Sequence, residues 1–404
     1  MDRRTFLAAG AAMLATPALA QDKKVIKIAS SLPRTGSAQG QTDAIVNGIK
    51  MAIADYEGKV AGFTIIHMDM DDATARQGQW DAGKEADNAR AAVEDKDVMA
   101  YIGPYNSGAA KVSMPILNEA GLVQMSPSAT WPGLTKKVKG NENSREPDIY
   151  RVSGKVSFCR VCPHDFVQGS QAAVFVANEL KAKSVFILDD KELYGAGIAK
   201  LFKEKCETIK LKVLGYEHID PRQANFKKLM ATVKGKKPDA VFFGGTSQSG
   251  GPQLARDMKS EGLNCPLVVP DGCYEEAFIK AAGAETFKTL TCYATIGGHD
   301  PSLLGGRGVA FVKKYKETYR KEPEAYAIYG YEAAKVVLES IKKVGKKDRD
   351  AIRKAVLATK DFDKGALPKW SFDADGDTTL QVITVSKIED GKFKPLTTLS
   401  GHEQ

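Results

Sequence analysis

Two short segments place hydroxyl groups where a parallel sheet could use them. Gly103-Pro104-Tyr105-Asn106-Ser107-Gly108 follows the apolar run Met99 to Ile102, and Ser126-Pro127-Ser128-Ala129-Thr130 follows the run Leu122 to Met125. In open α/β sheets ligands bind beyond the carboxyl ends of the strands, where helix N-termini present free N–H groups to an anion. If the two strands are neighbours, Ser107, Ser128 and Thr130 form one corner able to hold a carboxylate. Ser107 also suits a helix N-cap, worth about 1 kcal/mol to the fold, and the residues alone leave both readings open.

Other chemistry is poorly supported. Ser31-Leu32-Pro33-Arg34-Thr35-Gly36 ends the first strand without a G-x-G-x-x-G cradle, and no P-loop or nucleophile elbow replaces it. The histidines, His67, His164, His218, His299 and His402, are scattered without metal-ligand spacing. Asp373-Ala374-Asp375-Gly376-Asp377 looks calcium-like but is too short for an EF-hand and is expected to form a turn. Cys159-Arg160-Val161-Cys162 lacks the His directly after the second Cys that haem attachment needs, since Pro163 precedes His164. A local disulfide or two structural thiols are expected there. No enzymatic activity, metal or cofactor is expected.

The positioning elements follow from periodicity. Short apolar runs alternate with amphipathic ones: strands at Val25 to Ala29, Phe63 to Asp69, Met99 to Ile102 and Leu122 to Met125, with helices at Asp43 to Tyr56, Ala82 to Asp95 and Ala109 to Ala120. A Pro-, Gly- and Asn-rich stretch from Pro132 to Asp148 interrupts this rhythm. A second series then places strands at Ser184 to Leu188, Lys212 to Tyr216, Ala240 to Phe243, Leu267 to Val269 and Leu290 to Ala294, and long helices at Gly308 to Arg320 and Tyr326 to Val344. Strands short and apolar throughout belong to parallel sheets covered on both faces. The expected fold is α/β, with two parallel-sheet, Rossmann-like lobes joined by a multi-strand hinge. The chain of 404 residues has 43% hydrophobic and 27% charged residues, which excludes collagen-like, disordered and disulfide-scaffold classes. Its net charge of +8 is interleaved rather than clustered, so nucleic acid is not an expected partner.

Residues 1–20 read as a signal peptide: Arg3-Arg4, an apolar stretch from Phe6 to Ala15, then Ala18-Leu19-Ala20. The apolar run is too short to span a membrane, and export by the twin-arginine or general route to the periplasm is expected. Cleavage is expected after Ala20, and the absence of a Cys there argues against a lipid anchor.

Six motifs in one order make the resemblance specific: Gly36-Ser37-Ala38-Gln39, Tyr101 to Ser107, Ser126 to Thr130, Gln168-Gly169, Asp189-Asp190 with Tyr194-Gly195, and Phe243-Gly244-Gly245. From Val25 to Lys394 the chain resembles the leucine/isoleucine/valine-binding proteins, type I periplasmic solute receptors of ABC importers. The resemblance implies capture of an amino acid or small carboxylate by lobe closure and delivery to a membrane permease, by a monomer. It implies that Ser107, Ser128 and Thr130 hold the ligand's head group from the first lobe, with Tyr105 in the same turn, and that Tyr194 and the ammonium-binding Asp271 act from the second. Tyr326 matches a lobe-facing tyrosine. Thr246 stands where the branched-chain binders have Tyr, and Gln41 stands near the position of a bulky aromatic; both departures bear on side-chain specificity. The implied lobes are 21–153 with 296–375, and 154–295 with 376–404, crossing near Ser153, Thr295 and Asp375. A sensor module reporting the ligand to another partner is the alternative function.

Overall fold

A computed structural model describes residues 24–300 and 303–401; the expected cleavage site after Ala20 lies outside the described residues. The first run comprises β1 (Val25–Leu32), α1 (Gln39–Ala54), β2 (Lys59–Val60), β3 (Phe63–Asp71), a small hairpin of β4 (Ala73–Thr74) and β5 (Gln79–Trp80), α2 (Ala82–Glu94), β6 (Val98–Ile102), α3 (Ser107–Glu119), β7 (Val123–Ser126) and β8 (Phe158–Arg160). These strands, the hairpin apart, form a sheet in the order β2-β3-β1-β6-β7-β8, parallel except for the β2–β3 pair. Every residue of β6 and β7 is buried, because helices cover both faces.

The second run begins with α4 (Asp165–Asn178), β9 (Ser184–Asp189), α5 (Leu193–Thr208), β10 (Lys212–His218), α6 (Lys227–Lys236), β11 (Ala240–Gly244) and α7 (Gly251–Ser260). It continues through β12 (Leu267–Val269), α8 (Glu276–Ala282), β13 (Cys292–Gly297), α9 (Arg307–Tyr319), α10 (Ala327–Val344), α11 (Arg349–Leu357), β14 (Val382–Glu389) and β15 (Lys392–Ser400). The second sheet has the order β10-β9-β11-β12-β13-β14-β15. Its strands are parallel through β13, but β14 and β15 run antiparallel, a departure from the all-parallel expectation. The β14–β15 part has a local cause: Asp390 and Gly391 both take positive φ, 52° and 72°, the two-residue turn that folds a chain straight back into a hairpin.

Three connections join the layers. β8 hydrogen-bonds to β7, which keeps the chain in the first sheet through Arg160, beyond the crossing expected near Ser153. After β13 the chain returns to α9 and α10, and α10 packs on α1 so closely that a Cβ on Gly48 would lie 2.2 Å from the Ala327 carbonyl oxygen. Asp377 forms a parallel bridge with Arg160 before the chain enters β14.

Candidate ligand-binding cleft

β6 and β7 are parallel neighbours, so the turns that follow them meet, as their sequences implied. The turn after β6 opens with a cis Gly103–Pro104 bond, and Gly103 has φ +132°, where a Cβ would lie 2.4 Å from the Ser31 carbonyl oxygen. Ser126 ties the two turns: its Oγ donates to the Pro104 carbonyl at 2.7 Å and accepts the N–H groups of Ser128 and Ala129 at 3.2 and 2.8 Å. Ser128 Oγ donates to the Tyr105 carbonyl at 3.1 Å. Ser107 is the first helical residue of α3 rather than its cap; Asn106 holds the cap position without a side-chain cap bond. The Ser107 Oγ accepts the Trp131 N–H at 3.1 Å, which leaves the hydroxyl proton to donate elsewhere. The start of α3 thus presents N–H groups with no side-chain cap, beside a hydroxyl able to donate.

The facing wall comes from the second sheet. Asp271 lies beyond β12 and is buried, accepting from Gln168 Nε2 at 2.5 Å and from the hydroxyls of Tyr194 and Tyr326. Gln168 Nε2 also donates to Asp165 Oδ1 at 3.1 Å, while its Oε1 accepts from Thr295 Oγ1 at 3.1 Å. One amide therefore serves two carboxyl groups. Burial raises the pKa of Asp271 in spite of the Tyr194, Tyr326 and Gln168 hydrogen bonds, and burial with the nearby Asp271 charge pushes Asp165 up to about 8. The Thr130 carbonyl accepts the Asp165 N–H at 3.0 Å, so this network begins at the hydroxyl corner of the first sheet.

Two residues span the layers. Tyr326, at the cap position of α10, reaches Asp271, and the ring of Tyr105 meets it edge-on at a centroid distance of 6.0 Å. Gln41, on α1, donates to the Tyr274 carbonyl at 3.1 Å and accepts the Tyr326 N–H at 3.0 Å. The Gln41 amide is thus occupied by protein partners at both ends. A small, partly open recess lies between the walls. Ser107, Tyr194 and Thr246 line it, together with Gln79, Trp80, Asn106, Gly108, Glu192 and Leu193. Trp80 lies so close to Gly108 that a Cβ there would meet the indole at 2.6 Å. Of the nine sequence-derived site residues, three line the recess, five belong to the corner or the Asp271 network, and Gln41 stands apart as a bridge. Trp80 and Glu192 had not been singled out, nor had Asp165; Asn106 and Gln168 lay inside quoted motifs without an assigned role.

The segment after β7 is structural in its contacts. Cys159 and Cys162 are buried free thiols, and burial pushes both pKa values up, the opposite of an activated thiolate. Between them Arg160, fully buried, donates to Asp377 Oδ1 at 2.6 Å and to the carbonyls of Ala129 and Trp131 at 3.0 and 2.8 Å. His164 is buried against Phe166, edge-to-face at 5.4 Å. The acidic turn at Asp373 to Asp377 folds as a turn, with the Asp375 and Asp377 N–H groups both on Asp373 Oδ1 at 2.9 Å. Lys136 Nζ lies 2.8, 3.2 and 3.7 Å from its three carboxylates. Among the described residues no group of three or more His, Cys, Asp or Glu side chains is placed to hold a metal ion.

The sequence profile of a family described as "Periplasmic binding protein" matches residues 25–392. The Leu/Ile/Val-binding protein BraC3 of Rhizobium johnstonii is 27% identical over 371 residues, covering 91% of this chain and 93% of that protein. The structure of the leucine-binding protein LivK from Thermotoga maritima superimposes with a TM-score of 0.81 at 24% identity, covering 93% of this chain and 99% of that one. The branched-chain amino acid transporter substrate-binding protein LivJ from Streptococcus pneumoniae, solved with isoleucine, gives 0.79 at 25% identity, covering 94% and 100%.

Proposed function

The chain belongs to the periplasmic binding protein family, and on that premise we propose that it is the substrate-binding component of an ABC importer for an amino acid or a related small carboxylate. Ser107, Ser128 and Thr130, with the uncapped start of α3, receive the carboxylate. Asp271, flanked by Tyr194 and Tyr326, receives the ammonium. Tyr105 and Thr246 border the ligand, and Gln41 joins the two lobes around it. Lobes of 21–153 with 296–375 and 154–295 with 376–404, adjusted for β8, close on the ligand and present the closed shape to a permease. Export to the periplasm and a monomeric state complete the proposal. Among the described residues no helix is long and apolar enough to cross a membrane.

The observation that supports this best is the pairing of a hydroxyl corner on one sheet with a buried carboxyl on the other, linked by Tyr326. A buried carboxylate needs a cation or donors to offset its desolvation. The test combines mass spectrometry of ligand released from the purified protein with calorimetry of Asp271→Asn. The substitution is expected to weaken amino-acid binding by roughly 2–5 kcal/mol, the usual cost of truncating one partner of a buried charge pair. Equal affinity of the two proteins would remove the ammonium and leave a receptor for simple carboxylates.

A further inference from the structure

Resting on that reading of the cleft, the outer part of the recess tells what side chain the ligand carries. Its lining is unlike an aliphatic pocket. Trp80 is carried into it by the β4–β5 hairpin, which is locked against the β1–α1 loop where Gly36 meets Gly78: a Cβ on Gly36 would lie 2.0 Å from the Gly78 carbonyl oxygen. The Asp81 side chain then caps α2 by accepting the Lys84 N–H at 3.0 Å, so Trp80 is fixed on both sides in the chain. Opposite, at the cap position of α5, stands Glu192. Its backbone N–H is held by Asp190 Oδ1 at 3.0 Å, but its half-buried carboxyl forms no hydrogen bond or ion pair with the described residues. The adjacent Lys191 is exposed, and its charge acts on Asp220 instead. Asn106 adds a second acceptor without a partner, its buried Oδ1.

An aromatic surface, an unpaired carboxyl and an orphan amide oxygen around one small space all call for the same thing, a cation rich in N–H donors. A branched aliphatic side chain would desolvate Glu192 and Asn106 Oδ1 without returning a hydrogen bond, the arrangement that disfavours binding most. We propose that the cleft selects an amino acid with a basic side chain, lysine or arginine, whose cationic end lies against Trp80 and is paired by Glu192 and Asn106.

Titration calorimetry of the purified, ligand-stripped protein with L-arginine, L-lysine and L-leucine tests this. At least one basic amino acid is expected to bind tenfold or more tightly than leucine. Glu192→Gln should shrink that preference tenfold or more, by weakening the basic amino acid and with no loss of leucine affinity, and should leave the thermal midpoint unchanged. Leucine binding more tightly than both basic amino acids, or a preference that Glu192→Gln leaves intact, overturns the proposal while the amino-acid reading stands. If none of the three binds and benzoate does, the amino-acid reading itself fails, and this proposal with it.

Discussion

At the scale of single residues, the hydroxyl corner depends on a side chain that lies behind it. Arg160 reaches the carbonyls of Ala129 and Trp131, on either side of Thr130, and is paired with Asp377, so the guanidinium fixes the turn from Ser126 to Trp131. Burial opposes ionisation of Asp377, yet the Arg160 guanidinium and its hydrogen bonds hold the carboxyl below the usual carboxylate range. A depressed carboxylate stabilises the fold above its unfolded pKa, and that stability is lost as pH falls through the folded value. Asp377→Asn leaves a buried guanidinium without its counter-charge and is expected to cost about 3–5 kcal/mol in urea unfolding. Replacing Arg160 and Asp377 together by Met and Leu should cost less than Asp377→Asn alone; a single variant within about 1 kcal/mol of the parent would show that the pair does not hold the corner. That the two turns meet was legible because Gly, Pro and Ser mark where neighbouring parallel strands end. The placing of Trp80 and Glu192 at the recess was not legible, because it depends on which hairpin folds over which helix, and neither stands in a local pattern.

At the scale of elements, the tightest joint is between α1 and α10. Gly48 approaches the Ala327 carbonyl oxygen, and a Cβ on Gly330 would lie 2.3 Å from that of Ile45, so each helix accepts the other's backbone where a side chain is missing. The neighbouring α9 is tied to α1 as well, where Tyr319 OH donates to the Asn47 carbonyl at 3.1 Å. Gly48→Ala or Gly330→Ala is expected to destabilise by about 1–3 kcal/mol through overpacking, read as a lowered thermal midpoint. Gly40→Ala is the control on the same helix, with open space at its Cβ, and should be neutral or gain up to about 1 kcal/mol from reduced chain entropy. Equal effects at the three sites would mean that the helices do not interlock there. The alternation of buried strands and amphipathic helices was readable from composition because strands covered on both faces are almost wholly apolar, as in β6 and β11. α4 was missed because its buried face includes Gln168 and Gly169, which break the apolar period while serving the Asp271 network. The β14–β15 hairpin was missed although Asp390-Gly391 is a strong turn signal, because β15, the half-buried edge strand, mixes lysine, proline and threonine with its apolar residues.

For the whole molecule, one apolar cluster runs through both sheets, and several acids are buried beside it. Besides Asp165, pushed up to about 8, burial raises Glu275 to about 8 and Asp190 and Glu324 to about 7. An acid whose folded pKa is raised contributes stability that is complete below its unfolded pKa and is lost as pH rises through the folded value. Two opposing groups, His67 and His299, are pushed down by burial, His67 to about 4, so they raise stability with pH only up to their ordinary value near 6.5. Between pH 6.5 and 9 the buried acids therefore dominate, and the thermal midpoint of the ligand-free protein is expected to fall across that window. A ligand that brings a cation to Asp271 and Asp165 reverses the reason for the fall, since an opposite charge favours their ionised forms. The rise in midpoint on saturating with ligand should accordingly be larger at pH 8.5 than at pH 6.5. Differential scanning calorimetry at the two pH values, with and without the ligand identified by mass spectrometry, measures both quantities. A midpoint flat across the window without ligand would show that water or rearrangement relieves the buried acids. A ligand-induced rise independent of pH would show that the ligand's charge lies away from them.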